Sequence, residues 1–183
     1  MSFWFVDTEE KASSWHWLGT AISHAQTLGL HRDPDSGQRN PHLNDKSRAL
    51  WRRIWWSCFY RDRWLSLFMG RPMRINLRDC DIPMPSPDDI IGDFIDLPPA
   101  AWNKFIPCDF NLLAEGWIDF IRLSKTLGEI LSTNYAPNSI KPTPPQIETF
   151  ENEIYECSLK WNQRETKSHL HKFYASHFGL YQQ

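Results

Sequence analysis

The sequence predicts an all-α protein, an irregular multi-helix bundle with a proline-rich extended segment packed across it. Three observations carry that prediction. Apolar residues recur at helical spacing along most of the 183 residues. No alternation of period two lasts beyond a few residues, so strands have no support. Seven prolines fall between positions 72 and 107, a density that forbids a long helix there. The chain also carries 10 Trp, 11 Phe and 5 Tyr. Rings of this size bury much area each, which predicts an aromatic-rich core.

Each element follows in order. Met1 to Val6 is an apolar first segment, and Asp7 or Thr8 is placed to cap the helix behind it. That helix is predicted from about Glu9 to Leu28 on Trp15, Leu18, Ile22, Ala25 and Leu28, with Gly29 as its stop. A polar loop follows from His31 to Ser47. Asn44 is the predicted N-cap of a second helix that runs to about Met69. Its deepest stripe is predicted as Leu50, Ile54, Cys58, Leu65 and Phe68, widened by Trp51, Trp55, Phe59 and Leu67. Gly70 and Pro72 end it. The stretch 73–107 reads as extended, tied down by anchors such as Ile75, Ile82 and Trp102. Asp109 is the predicted cap of a third long helix, Phe110 to about Leu131, with its face on Phe110, Leu113, Trp117, Phe120, Ser124, Leu127 and Leu131. Thr143-Pro144-Pro145-Gln146 reads as a capping box with proline at the first helical position. The helix behind it is predicted to break at Asn162 to Lys167, before a last helix from Leu170 to Tyr181.

The whole reads as one domain, 1–183, with helices in 1–72 and 108–183 and the extended segment between them. Both ends read as cut, because Phe3-Trp4-Phe5 and the Phe173 to Tyr181 region are apolar where a terminus is usually polar.

Chemistry-bearing patterns are sparse. Lys and Arg total 20 against 22 Asp and Glu, so the chain as a whole has no net attraction for a phosphate polymer. Cys58, Cys80, Cys108 and Cys157 stand at least 22 positions apart, which rules out a C-x-x-C zinc site and predicts four reduced, mostly buried thiols. His169 and His171 fall on different faces of a helix. His16 and His24 share a face but lie two turns apart, too far for one ion. No nucleophile elbow, glycine-rich phosphate loop or H-E-x-x-H motif occurs. Ser57 and Ser66 are predicted to bond back to helix carbonyls. No catalytic, cofactor-binding or metal-ligating residue is assigned, and no enzyme is predicted. No apolar run reaches about 18 residues, so no membrane span is predicted.

The best-defined polar feature is a set of arginines, Arg48, Arg52, Arg53, Arg61 and Arg63, interleaved with tryptophans. Asp45, Asp62, Asp79 and Asp81 are available as partners. Asp62 with one or two arginines is predicted to form a partly buried ion pair that fixes helix register.

One ordered series remains: Leu28-Gly29-Leu30-His31-Arg32-Asp33, Trp55-Trp56, Asp62-Arg63, Gly70-Arg71-Pro72 and Asp79-Cys80-Asp81-Ile82-Pro83. Together, at this spacing, these fragments resemble the fungal-specific transcription factor domain. That domain is the middle regulatory region of zinc binuclear-cluster (Zn2Cys6) regulators of the xylanolytic-activator and cutinase-transcription-factor kind. The resemblance implies a helical module that modulates DNA-templated transcription through protein or effector contacts, in the nucleus. It implies as partners other transcription-regulatory proteins, the family's DNA-binding head, a metabolite effector and a second copy of the chain. DNA would be met only indirectly. The two zinc ions of the family sit in a separate head with six clustered cysteines, and no such head lies within these residues. The alternative is a stand-alone helical module that binds a small molecule.

Overall fold

A computed structural model describes residues 10–36, 43–139 and 141–165. Every regular element among them is helical. The predicted Met1 to Val6 segment, its Asp7 or Thr8 cap and the Leu170 to Tyr181 helix lie outside the described residues. The chain forms two compact units, 1–85 and 86–183. The boundary falls inside the proline-rich stretch.

In the first unit, α1 (Glu10–Thr27) packs against α2 (Asp45–Met69). Both helices end the same way. Gly29 (φ 78°) and Gly70 (φ 61°) adopt the left-handed conformation that side chains with a Cβ resist. At the first end, Gly29 N–H donates to Gln26 O and Leu30 N–H to Ala25 O. At the second, Gly70 N–H donates to Leu67 O and Arg71 N–H to Ser66 O. This paired pattern satisfies carbonyls that would otherwise be orphaned. Leu30, just beyond the turn, is buried beside Ala25 and takes the core position predicted for Leu28, which is 67% exposed. Asn44 caps α2 as predicted, its Oδ1 accepting from Ser47 N–H at 2.8 Å.

The stripe predicted for α2 is rotated. Trp55, Trp56, Phe59 and Leu65 are buried with Cys58, whereas Leu50, Ile54 and Phe68 are exposed. The cause is the company of the buried face. Asp62, Arg63 and Ser66 are buried too, so the inward side of α2 is half polar, and counting apolar residues alone misplaces it.

In the second unit, α3 (Asp88–Ile91) packs on α5 (Phe110–Asn134), and α5 packs on α6 (Pro144–Glu165). Between α3 and α5 lies α4 (Pro99–Phe105). With a 3-10 turn at Leu77–Asp79, these short helices replace part of the segment predicted as extended. Proline excludes a long helix but suits a helix's first turn, where its missing N–H costs nothing; Pro99 opens α4 in that way. The Phe110 ring receives Phe94 and Trp102 edge-on, with centroids 5.2 and 6.4 Å away. The deepest residues of α5 are Ala114, Ile118, Ile121 and Ser124. Phe110, Leu113, Trp117, Phe120, Leu127 and Leu131 flank that line half-buried, because small residues allow closer approach than large rings. Asp109 makes no side-chain cap. Gln146 Oε1 accepts from Thr143 N–H at 2.9 Å, the reach-back half of the predicted capping box. α6 continues through the predicted break as far as Glu165.

Candidate functional site

The first unit is organised around one buried carboxylate. Asp62 lies on the inward face of α2 with its side chain fully buried. Its oxygens accept from Arg63 Nη1 at 2.6 Å, from Arg74 N–H at 3.0 and 3.1 Å, and from Ile75 N–H at 3.0 Å. Arg63 donates its other terminal nitrogen to Ile75 O at 2.8 Å and lies 4.3 Å from the Phe59 ring centroid. Burial pushes the Asp62 carboxyl up from its ordinary value, and the Ile75 and Arg74 N–H groups with the Arg63 guanidinium pull against that rise. Burial likewise lowers Arg63, against the pull of Asp62. The neighbouring Cys58 thiol is pushed up to about 11 by burial and by the charge of Asp62, which leaves it protonated and inert near neutrality.

The ion pair predicted at Asp62 therefore exists, with Arg63 as its arginine, but with a different task. It does not set the register of two helices. It fastens the segment after α2 back onto α2. That segment, 71–85, is tied at three further places. Trp56 Nε1 donates to Pro83 O at 2.8 Å. Asp81 and Ile82 N–H both donate to His31 O, and Asp81 also receives Arg32 Nε and Asp33 N–H at 2.9 and 2.8 Å. Arg74 Nη1 donates to Trp15 O at 2.5 Å. The result is a strap laid across α1 and α2, as predicted for this half of the proline-rich stretch.

Asp81 is exposed. Desolvation raises its carboxyl, but the Asp33 N–H and the Arg32 guanidinium together outweigh it and hold the group below the usual range. Of the remaining predicted arginines, Arg48 and Arg52 pair with Asp35 at 3.3 and 3.5 Å, and Arg48 also with Asp45 at 3.6 Å. The thiols depart from expectation: Cys58 is buried, Cys80 and Cys157 are half-buried and Cys108 is exposed. Ser66 Oγ, expected to bond back to a carbonyl, is buried without a hydrogen bond among the described residues. His16 and His24 line one shallow groove along α1, while His169 and His171 lie outside the described residues. Among the described residues no cluster of His, Cys, Asp or Glu suits a metal ion, and no helix is long and apolar enough to cross a membrane.

Sequence reasoning did not single out Arg74, which lies over Gly19. A Cβ at Gly19 would stand 2.7 Å from Arg74 Nη1 and 2.9 Å from Cζ. A glycine inside a helix is unfavourable by itself and often marks such a close approach. That was the available signal.

The fasteners coincide with the ordered series of motifs: Gly29 to Asp33, Trp55-Trp56, Asp62-Arg63, Gly70 to Pro72 and Asp79 to Pro83. The model of the family described as "Fungal specific transcription factor domain" matches residues 1–168. The chain belongs to this family. Among relatives, it is 46% identical to cutinase transcription factor 1 beta of Fusarium vanettenii over 113 residues, covering 62% of this chain and 12% of that protein. It is 33% identical to a transcription factor of Fusarium pseudograminearum over 154 residues, 79% of this chain and 16% of the relative. It is 36% identical to the acetamidase regulatory protein of Emericella nidulans over 130 residues, 71% and 14% respectively. The chain thus spans 12 to 16% of the length of these relatives. No solved structure matches it.

Proposed function

We propose that this domain regulates DNA-templated transcription by contact, restraining or transmitting activation through protein or effector partners, in the nucleus and without catalysis. The observation that carries this reading is the family match over residues 1–168, shared with relatives named as transcription factors. The structure is consistent with it. The motifs of the ordered series serve as fasteners of a strapped helix pair, an architecture suited to presenting a surface. In this reading the zinc-dependent DNA contacts belong to a separate head, as the family resemblance implies.

A reporter experiment tests it. The whole chain is fused to a heterologous DNA-binding head in a filamentous fungus, beside the head alone and a fusion carrying Asp62→Ala. The expected result is reporter output that differs clearly from that of the head alone and reverts towards it in the variant. Equal output from all three fusions, at equal protein levels, overturns the reading.

A further inference from the structure

We propose that the Arg74 guanidinium, held on Trp15 at the edge of the α1 groove, is a binding site for a carboxylate. The ligand class follows from four observations. First, Arg74 is fixed at both ends. Its backbone N–H is gripped by buried Asp62, and its Nη1 is bound to Trp15 O. Its Cζ lies 3.8 Å from the Trp15 ring centroid. A stacked guanidinium offers its edge, and of its five N–H groups only one is engaged by Trp15 O. Holding it in advance removes the ordering cost that a free arginine incurs on binding.

Second, Gly19 supplies the floor. Any side chain there would displace the guanidinium from its seat. Third, Arg71 lies over the same ring, 5.4 Å from its centroid. Neither guanidinium forms an ion pair with a carboxylate among the described residues, although the charge of Arg74 is felt at buried Asp62. Two cations thus share one tryptophan, which concentrates positive charge at this surface.

Fourth, the groove suits an anion. It is a shallow, open groove of about 520 Å³, and no acidic residue among the described residues lines it. The imidazoles of His16 and His24 stand along its wall. The Thr20 and Ser23 hydroxyls donate back to His16 O and Gly19 O at 3.2 and 3.0 Å. Gln26 also lines the groove, and among the described residues Arg74 is the one arginine or lysine in its lining. A fork of parallel N–H groups on a fixed plane matches the two oxygens of a carboxylate.

The carboxylate belongs either to a free organic acid or to an Asp or Glu side chain of a protein partner, and the test separates the two. Backbone amides of Gly19 and Thr20 and the Arg74 Nε–Hε resonance are followed by nitrogen-15 NMR on the intact chain at matched ionic strength. One arm titrates acetate, succinate and citrate; the other titrates a blocked oligoglutamate peptide. Saturable shifts confined to these resonances are expected in at least one arm, and that arm identifies the source. Arg74→Gln weakens binding by roughly tenfold or more, the equivalent of losing one charge-assisted contact. Arg74→Lys, which keeps the charge and loses the fork, falls between. Linear shifts spread over all basic residues, or equal affinity in Arg74→Gln, overturn the proposal. Because no transcriptional output is measured, its failure leaves the regulatory reading untouched.

Discussion

The two units solve the same packing problem by different means. Residues 10–85 are joined by directional bonds between groups far apart in sequence: Asp62 to Arg74 and Ile75, Arg74 to Trp15, and Arg32 and His31 to the strap at Asp81 and Ile82. A charged pair sits in the interior. The second unit relies more on close packing of small and apolar residues. Ala114, Gly116, Ile118, Ile121 and Gly128 line the buried side of α5 together with Asp119, Ser124 and Thr126, and Thr126 Oγ1 donates to Glu153 of α6 at 2.6 Å. Directional bonds demand particular residues at particular positions. Volume packing accepts any set of apolar side chains of similar total size. The recognisable motifs accordingly crowd into the first unit.

The largest expected effect tests this contrast at its centre. Asp62→Ala leaves Arg63 buried and uncompensated, and should lower stability by about 3–5 kcal/mol, read from denaturant midpoints. Adding Arg63→Met should restore much of that loss, because removing both partners of a buried pair costs far less than removing one. If the double variant is no better than the single one, the charge pair is not what holds the strap.

The matching probe of the second unit is Ile121→Ala. Ile121 is completely buried, and a cavity there should cost about 2–5 kcal/mol. Hydrogen exchange should show the loss in α5 and α6 while the strap stays protected. Loss of strap protection in this variant would break the division between the two modes of stabilisation.

A smaller effect belongs to the helix ends. Gly70→Ala meets no atom within 4 Å, so its cost is purely conformational at φ 61° and should be about 1–2 kcal/mol. An unchanged melting curve would show that the turn after α2 tolerates another geometry.

The smallest is a pH effect at the exposed Arg32–Asp81 pair. The Asp81 carboxyl sits below its usual range, so its contribution is present above the unfolded value and fades as the pH falls through the folded one. The stability difference between the wild type and Asp81→Asn should shrink as the pH drops from about 5 to about 3, where the unfolded carboxyl also protonates. A difference constant across that range would assign the role of Asp81 to something other than its charge.

The starts of the long helices, the glycine stops, the Asn44 cap and the reach-back by Gln146 were legible in the sequence, because each depends on neighbours within a few positions; the short helices α3 and α4 were not. Family membership was legible for a related reason, since an ordered series of short motifs survives without knowledge of what each one touches. Which face of α2 turns inward was not. Leu50, Ile54 and Phe68 are as apolar as the residues that are buried, and the decision lay with Asp62 and Arg63, whose burial only the strap makes affordable. The candidate site was the least legible part. Arg74 and Trp15 stand 59 positions apart, and nothing local at either residue points to the other.

The amino-acid order by itself thus determined where helices begin and end, and which lineage the chain belongs to, because those properties are written in short-range chemistry. Only the tertiary structure decided that Asp62 grips the strap, that Gly19 makes room for a guanidinium, and that Arg74 is presented at the edge of a groove. These depend on where a chain bent back by Gly70 and its prolines meets an earlier helix, and that meeting is fixed by the sum of many distant contacts.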